Sequence, residues 1–599
     1  MTNYLGLPHH DGSERYVSNP YPDHGETVEL RLLLPGSWRT SEVHLRTIID
    51  GENHFEKPVT IDGAEAIFHL TCDQPIQHYR FHLRGDDGGR WLNGEGLLNW
   101  DPDDHFDFKI VPGCRAPDWV AERVWYQIFP DRFATSGRHR IDEPWIQWAE
   151  WDDPVEPKYP ASMTQLYGGD LDGIRERLDH IVDLGVGGVY LTPVFPGRSN
   201  HRYDASTFDE VDPILGGDEA LLRLREACDD AGLKLMTDLT LNHTGDGHEW
   251  FEAAQADPRS EEAGFYHFID HPDTYESWLG VSSLPKLDHR NSEMARRLYD
   301  GPESVVARYI TPPFNLDGWR IDVANMTGRL RDLDMNHEVA RITRRTFERL
   351  PGLAGDRWLV GEHFFDAAAD TPGDGWMGVM NYAGVSRPVT SWLGTEGVLL
   401  DMSPGPGQDQ RDGFGMARSF DVVRAAMSWT VTMGSMALLS SHDTPRWRSI
   451  CVSDDAAKIG FGMTLTLPGA PCFFYGDEIG LLGEDNEQSR APMPWDGNWD
   501  RSFLDTYRRL IGVRNGSEAL QRGGFRWVHV DADQLVWLRE SRRERVLVRA
   551  ARASGDAVSI DSELLGSDRL VPLYGDAEIR GAELELPRTG PRFDIWKLD

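Results

Sequence analysis

The feature that most constrains the fold is a repeated unit of apolar strand, loop and helix that runs from about residue 116 to about residue 515. Eight apolar runs recur there: VWYQIFP from Val124, VGGVYLTP from Val186, LKLMTDLTLN from Leu233, GWRIDV from Gly318, WLVGEHF from Trp358, MGVMNY from Met377, MALLSSHD from Met436 and PCFFYGDE from Pro471. Apolar strands alternating with helices call for a parallel sheet covered on both faces. Eight of them predict a closed (β/α)8 barrel rather than an open sheet. One helix between them is explicit: Asp218 is expected to cap it, Leu221, Leu224 and Cys228 to line one face, and Gly232 to stop it. The stretch 245–292 is too long for a connection after the third strand and predicts a small inserted subdomain.

The barrel, residues 116–515, is flanked by strand-rich segments. In residues 1–115, alternating strands at Thr27–Leu34, Val43–Thr47, Ala66–Leu70 and His78–Leu83 predict an N-terminal β-sandwich, with Ala116-Pro117-Asp118-Trp119 as a hinge. Residues 516–599 return to strands, at Leu535–Arg539 and Arg545–Ala550, and predict a compact C-terminal β-sandwich domain. The fold class is thus α/β, a TIM barrel between two β-domains.

Charge narrows the partners. With 61 basic and 98 acidic residues, the net charge of −37 repels phosphate backbones and anionic lipid, so neither nucleic acid nor a membrane is expected as a partner. No apolar run reaches the ~18 residues of a membrane span, and MTNYLGLPHHDGSERY lacks a basic segment followed by an apolar one, so a cytoplasmic location is expected. The five cysteines, Cys72, Cys114, Cys228, Cys451 and Cys472, form no CxxC pair and read as reduced, mostly buried thiols. No GxGxxG or Walker loop is present for a nucleotide.

Barrel strands deliver their C-terminal ends to one mouth, so polar residues ending apolar strands carry the chemistry. DLTLNH brings Asp238, Asn242 and His243 there, GWRIDV brings Arg320 and Asp322, LVGEHF brings Glu362, and SSHD brings His442 and Asp443. Any one acid could be a paired helix cap, but burying so many ionisable groups at successive strand ends is costly without a function. Glycosidic cleavage needs a carboxylic acid to protonate the leaving oxygen and a carboxylate beneath the sugar ring. Arg320, two residues before Asp322 on a strand, shares its side of the backbone and can keep it ionised, which makes Asp322 the better nucleophile and Glu362 the better acid.

These segments, with the flanks VWYQIFPDRF and YGGDLDGI, resemble the four ordered signature regions of the α-amylase family, glycoside hydrolase family 13. SLPKLD at 283–288, the His after the acid in GEHF and the β-rich N-terminus resemble its maltodextrin glucosidase and neopullulanase/cyclomaltodextrinase members. The resemblance implies Asp322 as nucleophile, Glu362 as general acid/base and Asp443 as the carboxylate that grips sugar hydroxyls in the transition state. It also implies that Arg320, His243 and His442 line that subsite, with Tyr203 and Asp204 of HRYDA beside them and Tyr203 stacked under the ring. Asp238 becomes a supporting residue, and Asn325-Met326 departs from the Lys-His of many amylases.

The implied activity is retaining hydrolysis of α-1,4 bonds in short maltodextrins, with glucose or maltose released. Cyclomaltodextrinase or neopullulanase action, or glucosyl transfer or isomerisation, is the alternative. No cofactor or metal is required by these residues, although the resemblance leaves room for a structural Ca²⁺ and for a homodimer. Trp145, Trp148 and Trp151 are expected in a loop, either packed there or lining a sugar subsite, and Asp477-Glu478 in structural hydrogen bonds.

Overall fold

The computed structural model of the protein describes residues 4–36, 38, 40, 42–85, 88–353, 355–400, 406–575 and 577–599. Eight parallel strands close a barrel in chain order: Trp125–Ile128, Gly188–Leu191, Lys234–Thr240, Gly318–Asp322, Trp358–His363, Gly378–Asn381, Met436–Ala437 and Ala470–Phe474. The last pairs with the first through Trp125 opposite Cys472. Val189, Leu235, Ile321, Leu359 and Phe474 are fully buried, each contributing about 1.5–3 kcal/mol by leaving water. The sixth and seventh strands need close backbone contact: a Cβ on Gly378 would lie 1.9 Å from the Gly434 carbonyl oxygen.

All eight predicted strands are present, but the seventh is only Met436–Ala437, and the chain runs on irregularly to His442 and Asp443. The explicit helix spans Gly217–Asp230 with Leu221, Leu224 and Cys228 buried, and Gly232 follows it at φ 70°. Asp218 does not cap it. Gly216, at φ 101°, holds that position, and the Asp218 carboxylate accepts the Val211 N–H at 2.8 Å. The short 3-10 turn Pro213–Leu215 leads straight into this glycine, so no extended cap residue precedes the helix. The expected hinge is also packed: Ala116 and Val120 belong to the main core, and Asp118 precedes a short helix, Trp119–Glu122.

Before the barrel, a three-stranded antiparallel sheet (Thr27–Leu33, Glu65–Thr71, Thr60–Asp62) and a six-stranded one that includes Glu42–Ile49 and Gln77–Gly85 enclose Val28, Leu30, Leu45, Phe68 and Phe81. Strand Thr27–Leu33 alternates exposed and buried positions, as a half-buried sheet requires. After the barrel, six antiparallel strands from Gly524–Val530 to Arg592–Leu598 form a further sheet. Between the third and fourth barrel strands, the insertion carries a helix, Glu249–Ala256, and a hairpin, Phe268–Asp270 with Thr274–Tyr275.

Candidate active site

Strand register builds the site. Arg320 lies opposite Asp238 of the third strand and Val360 of the fifth, while Asp322 lies opposite Thr240. Residues two apart on a strand share a face, so Arg320 and Asp322 project together. The fully buried Arg320 faces four carboxylates: Nη1 is 2.7 Å from Asp238 Oδ2 and 3.1 Å from Asp322 Oδ1, and Nη2 is 2.8 Å from Glu362 Oε1 and 3.8 Å from Asp443 Oδ2.

Even with Arg490 on Asp443, two cations cannot neutralise four acids, so this cluster retains protons that isolated carboxyls would lose. Burial pushes Glu362 up to about 7 despite Arg320, with the charge of Asp443 adding to the shift. Burial also raises Asp322 well above the usual carboxylate range, and the neighbouring Glu362 charge adds to it. The two therefore titrate as a linked pair, and the rise in Asp322 runs against the expectation that Arg320 alone keeps it ionised, because burial and the Glu362 charge outweigh the guanidinium. Glu362 Oε2 accepts the N–H of Val323 at 2.7 Å. Val323 stands at φ 37°, a left-handed conformation costing a β-branched residue about 1–3 kcal/mol, and this geometry aims its N–H at the acid.

The remaining predicted residues divide. The Tyr203 hydroxyl donates to Asp238 Oδ2 at 2.9 Å and lies 2.6 Å from His442 Nε2, and the two rings stack with centroids 5.6 Å apart at 9°. His442 Nε2 is also 3.1 Å from Asp443 Oδ2, and burial with Arg490 and Arg320 nearby drives its pKa far down. His243 Nε2 lies 3.9 Å from Asp322 Oδ2. Asp204 is not brought into this cluster. Its carboxylate accepts the Arg198 N–H at 2.9 Å and the Ser199 hydroxyl, pinning the loop that carries Tyr203.

Three partners escaped the sequence reading. Tyr190 donates to Asp238 Oδ2 at 2.6 Å, the Gln127 amide lies 2.7 Å from His442 Nδ1, and Arg490 donates to the His442 carbonyl at 2.8 Å and to Asp443 Oδ1 at 3.3 Å. Tyr190 and Gln127 sit in apolar barrel strands, where a polar residue surrounded by hydrophobic neighbours was the available signal.

The aromatic loop packs locally: Trp151 donates to the Met493 carbonyl at 2.8 Å, and Arg140 lies over Trp148. Glu478 accepts from Tyr126 at 2.8 Å, and Asp477 accepts from Ser440 at 2.6 Å and pairs with Arg446. Among the described residues no group of three or more His, Cys, Asp and Glu side chains gathers to hold a metal ion. Asn242, beside the insertion, has its side-chain oxygen bonded to the Lys286 ammonium, which does not fit a Ca²⁺ ligand. No helix among the described residues is long and apolar enough to cross a membrane.

Comparison with known proteins fits this geometry. The family model "Alpha amylase, catalytic domain" matches residues 127–351. The cyclomaltodextrinase of Geobacillus thermopakistaniensis is 32% identical, covering 98% of this chain and 95% of its own length. Neopullulanase 2 of Thermoactinomyces vulgaris is also 32% identical, covering 94% of this chain and 92% of its own. Among solved structures, the cyclic α-maltosyl-(1→6)-maltose hydrolase of Arthrobacter globiformis aligns with a TM-score of 0.67 and 28% identity over 81% of this chain and all of that one. With a catalytic-domain match across the strands that bear Asp238, Arg320 and Asp322, and end-to-end similarity to these relatives, the chain belongs to the α-amylase family of glycoside hydrolases.

Proposed function

We propose that this glycoside hydrolase cleaves α-1,4-glucosidic bonds of short maltodextrins with retention at the anomeric carbon. The observation that carries this is the sharing of one buried guanidinium by Asp322 and Glu362, which keeps both carboxyls at one point of the barrel mouth. Retaining enzymes need their two carboxyls ~5–5.5 Å apart, too close for a water between nucleophile and sugar. Asp322 attacks the anomeric carbon while Glu362 gives its proton to the departing glycosidic oxygen. Glu362 then takes a proton from water, whose oxygen displaces Asp322. Asp443, held by Arg490 and His442, is placed to accept hydrogen bonds from sugar hydroxyls, and the stacked Tyr203 and His442 offer a flat wall to the ring. Proton NMR of fresh product should show the α-anomer first; the β-anomer first would overturn direct attack by Asp322.

The reaction requires the linked pair to hold one proton. Below its acid limb both carboxyls are protonated and the nucleophile is lost, and above its basic limb the acid has no proton to give. With Glu362 raised to about 7 by burial, kcat/KM should follow a bell with its basic limb near neutrality. A rate still climbing at pH 9 would contradict this assignment.

For substrate, two relatives over 90% of whose length this chain matches are named for cyclic maltodextrin and pullulan, which favours a cyclic or α-1,6-containing oligosaccharide beside the linear one. The kcat/KM on γ-cyclodextrin and on maltotriose should each exceed that on soluble starch. Starch preferred tenfold over both would overturn the short-substrate reading, and the ratio of cyclodextrin to maltotriose decides between cyclomaltodextrinase-like and maltodextrin glucosidase-like action.

A further inference from the structure

We propose that Lys286 sets the tautomer of His243 through Asn242, so that His243 presents an N–H to the Asp322 side of the site. This rests on the reading of Asp322 as a reacting carboxylate. Lys286 belongs to SLPKLD, the segment that closes the insertion, and it returns to the barrel mouth by backbone pairing: His243 bridges Lys286, Leu287 N–H donates to the Asn242 carbonyl at 3.0 Å, and Thr244 N–H donates to the Pro285 carbonyl at 3.2 Å.

That pairing buries the Lys286 side chain to 3% exposure, with Nζ bonded to Asn242 Oδ1 and 3.2 Å from the Met326 carbonyl oxygen. An ammonium only donates, so the atom of Asn242 that meets it is the amide oxygen. The Asn242 NH2 then faces His243 Nδ1 at 3.0 Å and can only donate to it. Nδ1 is therefore the acceptor nitrogen, and in a neutral ring the single proton sits on Nε2.

Burial and the Lys286 charge hold His243 neutral, lowering its pKa to about 3, while Lys286 itself, lowered by burial to about 8, stays charged at pH 7. Nε2 lies 3.9 Å from Asp322 Oδ2, with the Tyr203 backbone also against the ring, and one sugar hydroxyl oxygen can span that separation by accepting from His243 and donating to Asp322. Lys286 is thus a positioning residue: it touches no reacting atom, yet it decides which face of an imidazole donates.

The test is nitrogen-15 NMR of histidine-labelled enzyme at pH 7, with the His243 signals assigned by their loss in His243→Asn. Wild type should show Nδ1 unprotonated and Nε2 protonated. In Asn242→Asp the new carboxylate still satisfies Lys286 but cannot donate, so Nδ1 gains the proton and kcat/KM falls about 10- to 100-fold, the usual cost of losing an orienting partner. Lys286→Met should bring a similar loss, partly restored in Lys286→Arg.

A proton on Nδ1 in wild type overturns the proposal, as does an Asn242→Asp enzyme whose Nδ1 stays bare. A Lys286→Met variant that only lowers Tm, with kcat/KM and nitrogen pattern unchanged, also overturns it. Should Asn242→Asp not fold, the wild-type spectrum alone decides. Failure of the hydrolase reading would be separate, seen as an Asp322→Asn enzyme that remains active whatever the nitrogen pattern.

Discussion

Asp322→Asn and Glu362→Gln should each lower kcat/KM on maltotriose by about 10³-fold or more, the scale expected when one member of a catalytic unit is removed. Both changes keep the shape of the side chain. A Gln at 362 still has an oxygen to accept the Val323 N–H, and an Asn at 322 still has one to meet Arg320 Nη1. Asp322→Asn loses the nucleophilic carboxylate and Glu362→Gln the transferable proton, so the loss belongs in kcat rather than in folding. Stability should move the other way. Each substitution removes one of four acids crowded on Arg320, of which Asp443 alone is shared with Arg490, so Tm at pH 7 should match or exceed that of wild type. Thermal melts and steady-state rates on the same preparations check both halves. Activity within tenfold of wild type for either variant, without added nucleophile, would sink the assignment.

Arg320→Met should be the most destabilising single change at the barrel mouth, costing about 3–5 kcal/mol near neutral pH, because it strands buried carboxylates without their cation. Asp238 is fully buried, and beyond Arg320 its side-chain partners among the described residues are the Tyr190 and Tyr203 hydroxyls. Without the guanidinium the carboxyl pKa values rise further above their unfolded values. A raised carboxyl binds its proton more tightly in the folded state, so the variant is best tolerated in acid and loses stability as pH climbs through the raised values. Its Tm deficit against wild type should therefore be larger at pH 8 than at pH 5. Arg320→Lys should recover little, since one ammonium cannot offer two forked faces to four acids. A deficit under about 2 °C at pH 8 would show that Arg320 is not the counterion of the cluster.

The barrel was legible because its strands are largely apolar runs, and the reacting groups were legible because they end those runs. Arg320 and Asp322 could be placed on one face from their spacing alone, and the register opposite Asp238 and Thr240 agrees. What spacing could not supply is partnership across the chain. Arg490 follows an unremarkable short helix, Asn486–Ser489, and meets Asp443 only because the loop after the eighth strand folds back over the seventh. Asp204 sits apart from the cluster for a local reason: adjacent loop residues need not face the same way, and while the Tyr203 hydroxyl meets Asp238 and His442, the Asp204 carboxylate meets the Arg198 and Ser199 turn. Asp218 misled because its helix starts from a left-handed glycine, which no residue preference at the next position discloses.

The insertion leaves and rejoins the barrel on one rung, with Thr244 donating to Pro285 and Leu287 to Asn242. A detour pinned at its own base tolerates changes of length at its exposed turns: lengthening such a turn costs only the slow logarithm of loop closure, about 0.6 kcal/mol for each doubling. The exposed turns near Ile269 and Leu279 can thus grow or shrink and reshape the outer surface of the insertion, while Phe251 and Phe265 stay in the core and the rung keeps the carboxylates where they are.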